Sequence, residues 1–188
     1  APVRTWQDGR GVTTSVAVDE MAGRDVVVKM VVESAVSPGA RIRLEHESNI
    51  LRQLDSPRLT SVIDLLVEDG ALILVMPMAP GRGLDERIAG GPLAPRDAIA
   101  IGAELFRALA EAHVSGVVHR DVKPANIVVD GETLTLVDFG LARSGWLEQP
   151  LRDLPVGTAR YASPAQAGPL HQDADGRSDL HSGGAVMF

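Results

Sequence analysis

The chain has 188 residues, of which 45% are hydrophobic, and its formal net charge is −7 at pH 7. This length and apolar content allow a sizeable buried core in one or two compact units. The acidic balance argues against a nucleic-acid partner, and the absence of cysteine excludes disulfide scaffolds and thiolate metal sites.

Segments rich in valine and threonine predict that the chain up to about residue 76 consists mainly of β-strands. Two hairpins are expected, the first with its turn at Ala22 and Gly23 and the second with its turn at Asp69 and Gly70. A helix over about residues 40–54 separates the two hairpins. The predicted strands cover residues 13–19, 24–32, 61–69 and 71–76.

The phase of this first helix predicts a buried acid. At about 100° per residue, Leu44, Glu47 and Leu51 share one face, whereas Glu45 points the opposite way. A carboxylate on a buried stripe is costly unless it has a cationic partner. We expect Lys29, inside the apolar strand 24–32, to be that partner of Glu47.

The second half of the chain follows a segment rich in proline and glycine at residues 76–83. An amphipathic helix is predicted from residue 95 to about 115, because Pro95 suits a first helical turn and Gly116 follows the end. Its apolar residues include Ile99, Leu105, Phe106 and Leu109. Two short strands are predicted at residues 127–129 and 134–137, the second leading into "DFG" at 138–140.

Lysine is nearly absent: the chain has sixteen arginines but only Lys29 and Lys123. An ammonium group is a compact charge on a flexible stem, whereas a guanidinium is a planar fork, so a site that contacts a single phosphate oxygen can require lysine. The alternative is that two surface lysines remain by chance. Because Lys29 lies inside "VVVKMVV", where an unpaired charge is costly, we favour functional roles.

Five features then occur in a fixed order. They are "VVVK" at 26–29, the inward Glu47, "HRDVKPAN" at 119–126, "DFG" at 138–140 and "GTARYASP" at 157–164. In this order and with these intervals the chain resembles the eukaryotic-type Ser/Thr protein kinases, particularly the bacterial ones. The resemblance implies an α+β, protein-kinase-like bilobal fold with a β-rich N-lobe that contains one helix and a mainly helical C-lobe.

The resemblance also implies the domain organisation. Residues 1–76 would form the N-lobe, 77–79 the hinge and 80–188 an incomplete C-lobe. The stretch 176–188 resembles the start of the central helix of the large lobe, with Asp179 as the aspartate that braces the backbone of "HRD". We expect a partial kinase domain, 1–188, from a larger signalling protein with further domains. Alone it would be poorly folded and inactive, because the apolar end of that helix, Ala185, Val186, Met187 and Phe188, has little to pack against.

By the same resemblance, the catalytic groups can be named. Asp121 would accept or orient the proton of the substrate hydroxyl, and Lys123 would steady the γ-phosphate. Lys29 would hold the α- and β-phosphates of ATP and pair with Glu47, and Thr158 would support Asp121 and Lys123. The metal ligands for Mg²⁺ would be Asn126 and Asp138.

The nucleotide-binding residues are implied in the same way. "GRGVTTSV" at 9–16 resembles a glycine-rich phosphate loop, although Thr14 stands in place of the third glycine and an ordinary hairpin turn is the alternative. Met76 would be the gatekeeper, followed by the hinge, in which Pro77 loses no needed N–H because the hinge uses its carbonyl and the N–H of Ala79. The ATP-contacting set is Gly9, Gly11, Val16, Val27, Lys29, Met76, Met78 and Ala79.

We therefore predict ATP-dependent phosphorylation of Ser/Thr hydroxyls on protein substrates in bacterial signalling. The alternatives are a pseudokinase that acts as a regulatory binding module and a small-molecule phosphotransferase of related fold. The longest apolar stretches are far below the roughly 20 residues of a membrane span, so no span is expected in this segment. We predict a cytoplasmic location.

Overall fold

The computed structural model describes residues 2–8, 12–32, 38–139, 160–167 and 175–188. The predictions for Gly9, Gly11 and Thr158 lie outside these ranges. The described residues form two compact units. The first contains the described residues up to Ser56 together with Thr60–Met78, and the second contains Pro57–Leu59 and the described residues from Ala79 onward. The predicted α+β class is confirmed.

The first unit is an antiparallel five-stranded sheet with one helix. The strand order is β1-β2-β3-β5-β4. The strands are β1 (Pro2–Asp8), β2 (Val12–Asp19), β3 (Arg24–Val32), β4 (Asp64–Glu68) and β5 (Ala71–Pro77), and the helix is α1 (Pro38–Gln53). Strand β1 was not predicted, since it is an edge strand with little valine that is defined by its pairing with β2. Strand β4 begins at Asp64, later than the predicted residue 61.

Both predicted turns are present. Asp69 and Gly70 adopt φ of 49° and 72°, as a two-residue hairpin turn between β4 and β5 requires. In the first hairpin, the Asp19 carboxylate accepts hydrogen bonds from the backbone N–H groups of Met21 and Ala22, both at 3.1 Å. Gly23 there has φ of 62°, a conformation that glycine adopts at little cost.

The predicted phase of α1 is confirmed. Leu44, Glu47 and Leu51 are buried, with Glu47 only 4% exposed. Glu45 is on the outer side, where its carboxylate accepts a hydrogen bond at 3.0 Å from Nε of Arg41 one turn earlier. The helix therefore carries an acid on its buried stripe.

The second unit combines a small sheet with helices. Its antiparallel sheet has the order β6-β7-β8. The elements are β6 (Arg82–Gly83), α2 (Leu84–Ile88), α3 (Pro95–Val114), a 3-10 turn (Pro124–Asn126), β7 (Ile127–Asp130), β8 (Thr133–Leu136), α4 (Pro164–Ala167) and α5 (Gly176–Val186). Neither β6 nor α2 was predicted. Both are short, and β6 exists only through pairing with β7, where a side chain at Gly81 would overlap the Val129 carbonyl.

The predicted apolar face of α3 needs a correction. Leu105 and Leu109 are fully buried, but Ile99 is 71% exposed and Phe106 is 37% exposed. Charged residues occupy one face of this helix, and the apolar face opposite them is broad, so Ile99 and Phe106 lie at its margin rather than at its buried centre. The buried stripe consists of Ile101, Gly102, Leu105, Ala108, Leu109 and Ala112.

Helix α5 packs against α3. A side chain at Gly183 would meet the ring of Phe106 and a methyl of Leu109, and one at Gly102 would meet Met187. The expectation that the end of this helix has little to pack against is therefore wrong for Met187. Phe188 is fully exposed.

Arg58, in the segment before β4, forms ion pairs with two glutamates of α3. The Arg58 guanidinium donates to the carboxylates of Glu104 at 2.7 Å and Glu111 at 3.0 Å, and hydrogen bonding to Arg58 lowers the pKa of the Glu104 carboxyl. The Arg58 carbonyl accepts from the N–H of Leu136 at 2.8 Å.

In the part of the chain described, no helix is long and apolar enough to cross a membrane.

Candidate active site

The segment between α3 and β7 carries "HRDVKPAN". Val117 and Val122 are buried, and the Val117 N–H donates to the Ala112 carbonyl at 2.9 Å. These apolar anchors fix the backbone, while the side chains of Asp121 and Lys123, on either side of Val122, stay 15% and 23% exposed. The buried valines therefore anchor this segment, and the carboxylate of Asp121 and the ammonium of Lys123 remain partly exposed.

The structure brings Asp121, Lys123 and Asn126 into direct contact. Lys123 Nζ lies 2.6 Å from Asp121 Oδ2. The Asn126 amide donates to the Asp121 carbonyl at 2.8 Å and to Oδ2 at 3.2 Å. The 3-10 turn makes this possible because it bends the chain, with the Asn126 N–H donating to the Lys123 carbonyl at 2.9 Å. The carboxylate is thus oriented by both partners.

His119 has a structural role. It is fully buried, and its ring lies 4.7 Å from the ring of Phe139. Its Nε2 is 2.9 Å from the Val137 carbonyl, and its Nδ1 is 3.2 Å from the Asp121 backbone nitrogen. Since Nε2 donates and Nδ1 accepts, the imidazole is neutral. Burial lowers the pKa of His119, despite the nearby carboxylates that oppose this shift.

Asp179 braces the backbone before Asp121, and that prediction is confirmed. Its carboxylate accepts hydrogen bonds from the N–H groups of His119 at 2.8 Å and Arg120 at 2.7 Å. Helix α5 positions it, and the start of this helix is capped by Asp175, whose carboxylate accepts from the Arg177 N–H at 2.9 Å. Arg120 has φ of 65°, a conformation that non-glycine residues seldom adopt.

Sequence reasoning missed His113. Its Nε2 lies 2.8 Å from Asp179 Oδ2, across 66 residues of sequence. A single histidine near the end of a helix gave no signal, because its partner is distant in the chain. The contact adds a third group around the buried Asp179 carboxylate.

The two predicted metal ligands flank one hairpin. Asn126 directly precedes β7, and Asp138 follows β8 by two residues. The register pairs Ile127 with Leu136, and the Val137 N–H donates to the Asn126 carbonyl at 2.9 Å. Asn126 and Asp138 therefore lie at the same open end of the β7–β8 hairpin, and Asp138 adopts a positive φ of 61°.

In the first unit, three of the predicted nucleotide-contacting residues form one row across the sheet. Val16 on β2 pairs with Val27 on β3, which pairs with Met76 on β5. Directly paired residues point to the same face of a sheet. Lys29 pairs with the buried Leu74 and shares this face, two residues along β3 from Val27.

The hinge segment has one backbone donor that is bonded to β3. The Met78 N–H donates to the Asp25 carbonyl at 3.2 Å, and the Met78 side chain is 48% exposed. A hinge that uses the Pro77 carbonyl and the Ala79 N–H does not need this donor.

Comparison with known proteins agrees with this arrangement. The family described as "Protein kinase domain" matches residues 7–188. A probable serine/threonine-protein kinase PknB of Corynebacterium glutamicum is 34% identical over 182 residues, which cover 92% of this chain and 28% of that protein. Serine/threonine-protein kinase PrkC of Bacillus subtilis is also 34% identical, over 177 residues, covering 92% of this chain and 27% of that protein.

A solved structure has the same fold. The kinase domain of Mycobacterium tuberculosis PknI matches with a TM-score of 0.76 and 24% identity, covering all of this chain and 70% of that one. The chain spans less than a third of the length of the curated relatives it matches. The motif order, the contacts of Asp121 and these matches lead to one conclusion: the chain belongs to the protein kinase domain family, among relatives that are serine/threonine-protein kinases.

Proposed function

We propose that this domain transfers the γ-phosphoryl group of ATP to Ser/Thr hydroxyls of protein substrates, in bacterial signalling. The observation that carries the proposal is the contact of Lys123 and Asn126 with the Asp121 carboxylate. A partly exposed carboxylate can receive the proton of a hydroxyl group. A cation beside it can keep the transferring phosphoryl group in place.

The residues of the loop account for the steps of the reaction. The substrate hydroxyl oxygen bonds to the γ-phosphorus as the bond from that phosphorus to the β–γ bridging oxygen breaks, and ADP leaves. The hydroxyl proton passes to the Asp121 carboxylate. Lys123 offsets the negative charge on the γ-phosphate oxygens. Its ammonium lies 2.6 Å from the Asp121 carboxylate and is therefore next to the position where the substrate hydroxyl would react.

Asn126 and Asp138 fit a magnesium site. An amide oxygen and a carboxylate are hard ligands, and Mg²⁺ is usually held by one or two protein groups together with waters and substrate phosphates. Among the described residues, no group of three or more His, Cys, Asp or Glu could hold a metal by itself, so phosphate oxygens would complete the shell. When bound at Asn126 and Asp138, Mg²⁺ would offset the negative charge of the phosphate groups.

We assign residues 1–76 as the N-lobe, 77–79 as the hinge and 80–188 as part of the C-lobe. In the N-lobe, the Val16, Val27 and Met76 row would contact adenine, and Lys29 with Glu47 would hold the α- and β-phosphates. Support comes from the shared face of this row and from the burial of Glu47. Gly9, Gly11, Met78, Ala79 and Thr158 keep the roles given by the resemblance.

The test uses the intact protein. Asp121→Asn should abolish phosphotransfer to protein substrates while ATP affinity stays nearly unchanged, and Asp138→Asn should lose Mg²⁺-dependent nucleotide binding. Asp130→Asn is the matched control, because Asp130 is exposed at the end of β7 in the same hairpin. Retained turnover in Asp121→Asn would overturn the catalytic assignment.

A substrate panel separates the alternatives. Phosphorylation of small molecules but not of proteins would favour the small-molecule phosphotransferase. Nucleotide binding without phosphotransfer to any substrate would favour the pseudokinase.

A further inference from the structure

The short helix α4 holds one side chain in a fixed orientation. Ser163 and Gln166 form a capping box: the Ser163 N–H and Oγ lie 3.0 and 3.1 Å from Gln166 Oε1, and the Gln166 N–H donates to Ser163 Oγ at 3.3 Å. Ser163 is 2% exposed. Because Oε1 faces Ser163, the Nε2 group of Gln166 must point the other way.

That Nε2 group donates to the Arg120 carbonyl at 2.8 Å, across 46 residues of sequence. The Arg120 carbonyl belongs to the peptide group that joins Arg120 to Asp121. The N–H of the same peptide group donates to His119 Nδ1 at 3.2 Å. Both polar ends of the peptide that precedes Asp121 are therefore held.

The backbone at this point needs such support. Arg120 has φ of 65°, and strained residues persist only where surrounding contacts determine them. Asp179 fixes the Arg120 N–H at 2.7 Å and Gln166 fixes its carbonyl. Without Gln166, the peptide could rotate and carry the Cα–Cβ bond of Asp121 with it.

We propose that Gln166 is a positioning residue for phosphotransfer, which holds the Asp121 carboxylate in its working orientation through the Arg120 carbonyl. The proposal rests on the proposed function of Asp121. It also gives α4 a role in holding the backbone before Asp121.

The decisive variant is Gln166→Glu in the intact protein. It keeps an oxygen acceptor for Ser163, so the cap of α4 is retained, but it replaces the Nε2 donor with an oxygen that faces the Arg120 carbonyl. The kcat for a protein substrate should fall about 10- to 100-fold, as expected when a catalytic group is misplaced. The KM for ATP should stay within about twofold, because ground-state binding of ATP does not involve this contact.

Two further variants complete the design. Gln166→Met removes both polar partners at similar length and should show the same split between kcat and KM, with a lower Tm. Gln53→Glu is the matched control for the change of charge, because Gln53 is exposed at the end of α1; its kcat should equal that of the unaltered protein.

The outcomes are distinguishable. If the unaltered protein phosphorylates its substrate and Gln166→Glu has the same kcat, the positioning role of Gln166 is overturned, whereas the proposed function is not. A rise in KM for ATP with kcat unchanged would also overturn it. Absence of phosphotransfer in the unaltered protein would overturn the proposed function, and the positioning role with it.

Discussion

In the first unit, Val16, Val27 and Met76 lie side by side because three antiparallel strands are in register. In the second unit, the backbone before Asp121 is held by side chains 46 and 59 residues further along the chain. In the first arrangement, the face that each side chain occupies follows from the alternation of strand residues, which is local, although the pairing of β3 with β5 joins distant segments. The second depends on buried hydrogen bonds between distant segments, so single substitutions there should have larger effects.

The largest expected effect is the loss of Asp179. Asp179→Ala leaves the N–H groups of His119 and Arg120 without their acceptor in a buried place. The free energy of unfolding should fall by about 3–5 kcal/mol, measured by denaturant unfolding of the intact protein. Asp130→Ala, at an exposed position at the end of β7, should change it by less than about 0.5 kcal/mol. A loss under about 1 kcal/mol for Asp179→Ala would show that the loop has other support.

Lys29→Arg tests the first unit by chemistry rather than by packing. Charge is kept, but in the role proposed for Lys29 a planar guanidinium would not make the point contact with phosphate oxygens that an ammonium makes. The kcat/KM for ATP should fall on the order of 100-fold, or about 2.7 kcal/mol of transition-state stabilisation. Arg24→Lys on the same strand is the control, because Arg24 is exposed. Wild-type kinetics for Lys29→Arg would contradict the interpretation of the two lysines.

The neutral state of His119 predicts how stability depends on pH. Burial lowers the pKa of His119 in the folded protein below its usual value, so the folded state disfavours protonation. The stability contributed by the neutral ring is complete above about pH 6.5 and is lost as the pH falls, by at most about 1.4 kcal/mol per pH unit.

The measurement compares unfolding free energies between about pH 5 and 8 for the unaltered protein and for His119→Gln. The variant should show a flatter dependence below about pH 6.5, whereas His181→Gln, at an exposed position, should not. Equal slopes for His119→Gln and the unaltered protein would refute the assignment of a neutral ring.

The smallest expected effect concerns Ser48 on α1. In the described part of the chain its buried hydroxyl has no hydrogen-bond partner, and it is 1% exposed. Ser48→Ala should therefore leave stability unchanged or raise it by up to about 1 kcal/mol. A clear loss of stability would indicate that the first unit, too, depends on a polar contact of this side chain.

The predicted strands and helices came from local signals, and most are present. The turn at Asp69 and Gly70, the buried face of α1 with Glu47, and the start of α3 at Pro95 each depend on neighbouring residues alone. The short elements β6 and α2 escaped prediction because two to five residues carry too little periodicity. Ile99 was misplaced because it lies at the margin of a broad apolar face of α3, of which only the centre is buried.

Sequence by itself determined the family and the order of the motifs, because residue types such as Asp121, Lys123 and Asn126 at fixed spacing are visible in the chain. It also identified Asp179, through resemblance. Only the tertiary structure showed that His113 contacts Asp179 and that Gln166 contacts the Arg120 carbonyl. The physical reason is that a hydrogen bond between segments 46 or 66 residues apart leaves no periodic pattern in either segment; it exists only once the packing of α3, α4 and α5 brings donor and acceptor within about 3 Å.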